Sequence, residues 1–205
     1  WDDRARLNAS LFRTEYQDLQ VQVFEQVSFF VRNSSGAKTQ GLELDATIAI
    51  TDIIQLKGGL MLLDAEFDSD AGPLSPGAPP VGGSNLPFAP ETTWTIGWSA
   101  SDSFRDTGWA WFLDGSFLQR SSYFTQENAS PISTQGSTGI LNTQGGIRSD
   151  DGRWEVALWC KNCTNEIYFN TTFDNPLDFF PGLGAAREGF LNRPRTFGVS
   201  LTGRF

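Results

Sequence analysis

Apolar and polar residues alternate along most of this chain with a period of two. In residues 41–50 (GLELDATIAI), Leu42, Leu44, Ala46, Ile48 and Ile50 fall on one side, and Glu43, Asp45, Thr47 and Ala49 on the other. Successive side chains of a β-strand point to opposite faces, so this spacing predicts a strand with one apolar face. Residues 91–101 repeat the pattern, with Thr92, Trp94, Ile96, Trp98 and Ala100 together. In residues 108–121, Trp109, Trp111, Leu113 and Phe117 oppose Asp114, Ser116 and Arg120. In residues 153–162, Trp154, Val156, Leu158 and Cys160 oppose Glu155, Ala157, Trp159 and Lys161. Residues 53–67 are strongly β-forming but alternate less strictly, which predicts a bulge near Gly58-Gly59. Residues 138–149 read as the hairpin partner of 153–162, residues 7–20 and 21–40 as the first two strands, and residues 196–205 as the last.

These segments amount to about eight strands. The connections between them differ in kind. Those at 51–52, 102–107 and 150–152 are short, whereas 68–89, 122–137 and 163–193 are long and loop-like in composition. Tight turns on one side and long loops on the other are the asymmetry of a transmembrane β-barrel. Strand length agrees: about twelve residues at ~3.3 Å each, tilted by roughly 40°, rise ~30 Å, the height of an apolar membrane core. Strands of soluble sandwiches are usually about half as long. Trp94, Trp98, Trp109, Trp111 and Trp154 all fall on the apolar side, several of them near short turns, where interfacial aromatics belong. The expected fold is therefore all-β, an antiparallel transmembrane β-barrel.

Composition narrows the function classes. The chain has 205 residues, 39% hydrophobic and 19% charged, which argues against disorder. No apolar run approaches the roughly 18–20 residues of a membrane helix, and a barrel hides its membrane signal because its two faces average out, so the mean hydropathy of −0.28 fits either a barrel or a soluble β protein. A net charge of −9 and a pI near 4.4, without basic clusters, speak against nucleic acid as a partner. Histidine is absent, which removes the commonest general base and metal ligand. Residues 1–7 (WDDRARL) carry no charged-then-apolar leader, and a truncated chain is the expectation.

The candidate chemistry is that of binding. No nucleophile motif, P-loop or dinucleotide fingerprint occurs, so no catalytic residue, metal or cofactor is predicted. Cys160 and Cys163 lack the further ligands of a zinc site. Residues three apart on a strand face opposite ways, so the expectation is two packing cysteines; a local disulfide, the lesser alternative, requires the strand to end by Asn162. Asp64, Glu66, Asp68 and Asp70 read as a solvated or cation-bridged rim facing the outer leaflet rather than as a cation site. Asp114 and Arg120, with Glu155 and Lys161, fall on the polar face, where they could pair across the wall of a wet lumen. Tyr123, Phe124, Tyr168, Phe169, Phe173, Phe179 and Phe180 lie in or beside two long loops, as candidate contacts for a small ligand at the mouth; loop packing explains them almost as well.

The last strand is more specific. Residues 196–205 (TFGVSLTGRF) put Phe197, Val199, Leu201, Gly203 and Phe205 on the lipid side. The segment resembles the C-terminal assembly signal of outer-membrane proteins: Thr196, Gly198 and Leu201 match its fixed points and Phe205 its terminal aromatic. Gly203 departs from it, since a large apolar or aromatic residue is usual there. Working backward, the whole chain resembles the C-terminal barrel region of a TonB-dependent outer-membrane receptor. The resemblance runs through residues 7–20 with 36–47, residues 62–67 (LLDAEF), 85–90 (NLPFAP), 152–168 (GRWEVALWCKNCTNEIY) and 193–205, in that order.

That resemblance implies a barrel of about 22 strands with a plug inside. Residues 1–205 would then be the C-terminal portion of the barrel, without the plug domain and earlier strands. It also implies the outer membrane of a Gram-negative bacterium, and outer-membrane lipid, the remainder of the receptor and the TonB energy-coupling complex as partners. The implied function is energy-coupled uptake of a scarce small molecule, most often a ferric siderophore or similar chelate, with cobalamin and carbohydrates also known. Two competing readings make different structural demands. A complete eight-stranded barrel with a structural or adhesive role requires the first and last strands to pair, and a soluble β-sandwich binding module requires two stacked sheets.

Overall fold

The computed structural model describes residues 4–25, 28–74, 79–126, 131–174 and 187–204. In chain order its strands are β1 (Ala5–Gln17), β2 (Gln20–Glu25), β3 (Ser28–Asn33), β4 (Gly36–Ala49), β5 (Ile54–Phe67), β6 (Thr92–Phe104), β7 (Trp109–Arg120), β8 (Tyr123–Phe124), β9 (Thr134–Gln135), β10 (Thr138–Ser149), β11 (Trp154–Lys161), β12 (Phe169–Asp174), β13 (Arg187–Leu191) and β14 (Thr196–Gly203). Eight of them form one antiparallel sheet in the order β1-β4-β5-β6-β7-β10-β11-β14. The remaining strands pair as β2-β3, β8-β9 and β12-β13, three small hairpins inside the connections of a simple meander.

The ladder registers turn the alternation of the sequence into continuous rows. Leu7, Ala46, Gly58, Ile96, Phe117 and Leu141 lie opposite one another across six strands. Four residues along, Ala100, Leu113, Gly145, Leu158 and Val199 form another such row. These positions define an apolar face that none of the described residues covers: Leu158 is 64% exposed and Phe197 80%. The other face carries Asn8, Asp45, Gly59 and Thr95 in one row, and Ser99, Asp114, Gln144 and Trp159 in another. Apolar surface this extensive belongs against another apolar phase rather than water.

The short connections close one end of the sheet. Residues 50–53 join β4 to β5, with the Thr51 Oγ1 accepting from the amides of Ile53 (3.2 Å) and Ile54 (3.0 Å). An ion pair between Arg4 and Asp52 (2.6 Å) ties β1 to this turn. Between β10 and β11, Gly152 takes a left-handed φ of 70°, and Asp151 accepts from the Ser149 hydroxyl (2.6 Å) and the Arg153 amide (3.0 Å). The turn expected at 102–107 is shorter, because β6 continues to Phe104 before the chain reverses at Gly108 (φ 71°).

Three expectations are corrected. Residues 21–40 do not form a single strand of the sheet. The β2-β3 hairpin stands in a fourth long connection, and β4 starts at Gly36 and runs unbroken through residues 41–49. No bulge occurs at Gly58-Gly59: both residues keep register with β4 and with β6, so these glycines leave room instead of adding a residue. β1 and β14 occupy opposite edges and do not pair, which removes the closed eight-stranded barrel, and the eight strands lie in one sheet, which removes the sandwich. Among the described residues, a buried apolar cluster lies at the long-loop end, where Val21, Phe67, Ala71, Leu74 and Val81 pack together with Leu19 and Leu86.

A recurrent device fixes neighbouring strands. Phe12 faces Gly41, Trp98 faces Gly115, Trp159 faces Gly198 and Trp154 faces Gly203 across the ladder. A Cβ on Gly198 would lie 2.5 Å from the Trp159 indole, and one on Gly41 2.8 Å from the Phe12 ring. The ring lies where the glycine's side chain would be, covering the bare backbone of the next strand.

Candidate functional site

Most of the candidate residues that the described structure includes lie on the polar face or at the long-loop end; Cys160 and Leu201 lie on the apolar face. Asp114, Arg120, Glu155 and Lys161 project from the polar face, as their registers require. Asp114 and Arg120 stand six residues apart on one strand, about 20 Å at ~3.3 Å per residue, and so do Glu155 and Lys161. Each therefore meets a different neighbour. Asp114 accepts from the Gln144 side-chain Nε2 at 3.4 Å, and the Lys161 ammonium sits 5.8 Å over the Trp159 ring. Glu155 lies opposite Arg148, whose guanidinium stands 5.6 Å over the Phe112 ring. Arg120, at the loop end, reaches Tyr123.

Tyr123 anchors the loop cluster. It is buried, with the Phe88 ring 6.4 Å away and Tyr168 close enough to affect its ionisation. Burial pushes the Tyr123 phenol above its ordinary 10.0, and the charge and hydrogen bond of Arg120 oppose that shift. The Phe88 amide donates to the Phe124 carbonyl at 2.8 Å, joining the 68–91 connection to β8. The Phe169 amide donates to the Gln135 side chain at 2.9 Å. Beside these contacts, Thr125 and Thr172 are buried and share a hydrogen bond of 2.6 Å between their hydroxyls. The loops following β7 and β11 thus dock on one another, leaving Phe124, Tyr168 and Phe169 half-buried at the surface of the junction. The Phe173 side chain, and Phe179 and Phe180 altogether, lie outside the described residues. Phe88, Thr125 and Thr172 are not singled out by the sequence, because no periodicity marks loop residues that meet only in the fold.

The end of β11 departs from the sequence expectation. Cys160 and Cys163 form a disulfide, with a Cα–Cα distance of 5.7 Å. β11 stops at Lys161 and Asn162 takes φ 51°, so Cys163 has left the strand and its side chain turns back toward Cys160. Asn162, which is buried, organises this junction. Its amide donates to the Asn142 side chain (3.0 Å), its Nδ2 donates to the Glu166 and Arg193 carbonyls (2.8 and 3.1 Å), and its Oδ1 accepts from the Glu166 amide (2.9 Å). Asn192 adds a bond from its Nδ2 to the Glu166 carbonyl (2.9 Å).

Among the acidic residues of the rim, Asp64 accepts from Gln40 (2.7 Å) and the Asp68 amide donates to the Gly36 carbonyl (3.0 Å). Among the described residues, no group of three or more potential ligands could hold a metal ion. In the terminal strand, Thr196 faces Lys161, Gly198 faces Trp159 and Leu201 faces Val156. Phe205 lies outside the described residues.

An open antiparallel sheet, apolar on one face and polar on the other, with tight turns at one end and long loops at the other, is the wall of an outer-membrane-type β-barrel. Residues 1–163 match the family described as TonB dependent receptor-like, beta-barrel, and the chain belongs to that family. Solved structures of the same fold include the ferric yersiniabactin uptake receptor FyuA from Yersinia pestis, with a TM-score of 0.76 and 19% identity over 99% of this chain and 28% of that one. The siderophore receptor PiuA from Acinetobacter baumannii matches with a TM-score of 0.68 and 17% identity, over 99% of this chain and 26% of that one. The copper transporter OprC gives 0.69 and 16%, over 99% and 29%. The chain thus spans little more than a quarter of the length of these solved receptors. A search of curated proteins finds no match.

Proposed function

We propose that residues 1–205 are the C-terminal part of the barrel of a TonB-dependent receptor in the outer membrane of a Gram-negative bacterium, and that the whole receptor takes up a scarce small molecule, a ferric siderophore or similar chelate. In this reading the polar face lines the lumen and meets the plug of the same receptor, the TonB complex supplies energy through the N-terminal part, and the apolar face meets lipid. What supports it most is the match of almost the entire sheet to receptor barrels combined with a loop end where Phe124, Tyr168 and Phe169 stay half-exposed and Arg120 reaches Tyr123. Aromatic faces and one cation suit an anionic or aromatic chelate. Of the named relatives, one is a ferric yersiniabactin uptake receptor, one a siderophore receptor and one a copper transporter, which supports a metal chelate as the ligand class.

The test uses the full-length protein in its own cells. Deleting it should abolish accumulation of at least one radiolabelled ferric chelate from a panel of catecholate, hydroxamate and phenolate types. Dissipating the inner-membrane proton gradient should do the same. Uptake unchanged across metal chelates, cobalamin and oligosaccharides, or uptake indifferent to the gradient, would contradict the reading.

A further inference from the structure

Trp154 and Trp159 are five residues apart on β11, and Gly198 and Gly203 are five apart on β14. Five is odd, so the two tryptophans point to opposite faces of the sheet. The antiparallel register then sets Trp159 against Gly198 on the polar face and Trp154 against Gly203 on the apolar face. β11 therefore grips the last strand with one indole on each side.

The outer clasp bears on the one residue of the terminal segment that departs from its pattern. The apolar column of β14 runs Phe197, Val199 and Leu201, exposed by 80, 67 and 70%, and then meets Gly203, which has no side chain to continue it. A Cβ on Gly203 would lie 3.0, 3.4 and 3.5 Å from three atoms of the Trp154 six-membered ring. The ring thus lies over Gly203. It is still 42% exposed, on the apolar face, next to the Asp150–Gly152 turn and in line with Phe104 and Trp109. Indole rings at that depth favour the boundary between acyl chains and headgroups.

We propose that Trp154 supplies, from the neighbouring strand, the interfacial ring that Gly203 leaves out of the last strand, so that positions 154 and 203 act as a single aromatic anchor toward lipid, with room for one ring. Glycine at 203 is then a consequence of tryptophan at 154, and the departure from the terminal pattern is compensated across the ladder.

The experiment is a ring swap in the full-length protein, reading the amount of heat-modifiable, folded protein in the outer-membrane fraction. Trp154→Ala should reduce that amount several-fold. Gly203→Phe alone should also reduce it, because two rings compete for one site. The double variant Trp154→Ala/Gly203→Phe should return most of the wild-type amount, even where Trp154→Ala alone does not assemble. A double variant no better than Trp154→Ala, or Gly203→Phe that accumulates like wild type while Trp154 is present, overturns the inference. The unsubstituted protein's own presence in the outer membrane is read in the same gels and tests the family reading separately.

Discussion

A tryptophan lying on a glycine of the next strand leaves no room there for another side chain. Gly198 shows this: Gly198→Leu should force the Trp159 indole off its site and cost about 1–3 kcal/mol by overpacking. A lowered midpoint for heat unfolding of the purified full-length protein in detergent would report it, and pairing the change with Trp159→Ala should recover part of the loss. Charge at single residues acts more gently. Asp151 sits exposed in the β10–β11 turn, and the hydrogen bonds from the Ser149 hydroxyl and then the Arg153 amide hold its carboxyl below the ordinary 3.8. A depressed value in the fold means that this contribution is complete above 3.8 and is lost as pH falls through the lower folded value. Wild type and Asp151→Asn should therefore differ in stability at neutral pH and converge in acid, as followed by unfolding across a pH series. A gap that widens in acid would reverse the sign.

At the scale of elements, the end of β11 carries the most structure for its length. The disulfide closes a loop of four residues, for which chain-entropy arguments give about 2 kcal/mol. It acts where Asn162 fastens the chain to Asn142, Glu166 and Arg193. Replacing both cysteines by serine should leave the sheet assembled but make the connection after β11 more sensitive to protease at the cell surface; unchanged cleavage would show that Asn162 suffices alone. This junction was only half legible in the sequence. Period-two alternation located the long strands, since each must keep one face apolar over its whole length. It could not show that the chain leaves β11 at Asn162, because that depends on side-chain hydrogen bonds to residues 20 to 31 positions away. The same limit hid the β2-β3 hairpin, whose residues look as β-forming as the wall itself. The loop aromatics were visible as residue types, but the contacts of Tyr123 with Phe88 and Arg120 arise only when separate loops dock.

At the scale of the whole molecule, the sheet makes sense only as part of something that covers both its faces and both its edges. Unpaired strand edges are costly in lipid, so β1 and β14 call for further strands, as a barrel wider than this sheet provides. The match to about a quarter of much longer receptor chains accords with that demand. The central claim is that the row through Ala46, Gly58, Ile96, Phe117 and Leu141 faces lipid while its alternates face water. Spin labels placed singly at positions 93 to 98 of β6 in the full-length protein, reconstituted in bilayers, test this most directly. Labels at 94, 96 and 98 should collide preferentially with dissolved oxygen, and those at 93, 95 and 97 with a water-soluble nickel complex, in strict alternation. Six positions with one common accessibility, or the opposite alternation, would contradict the account.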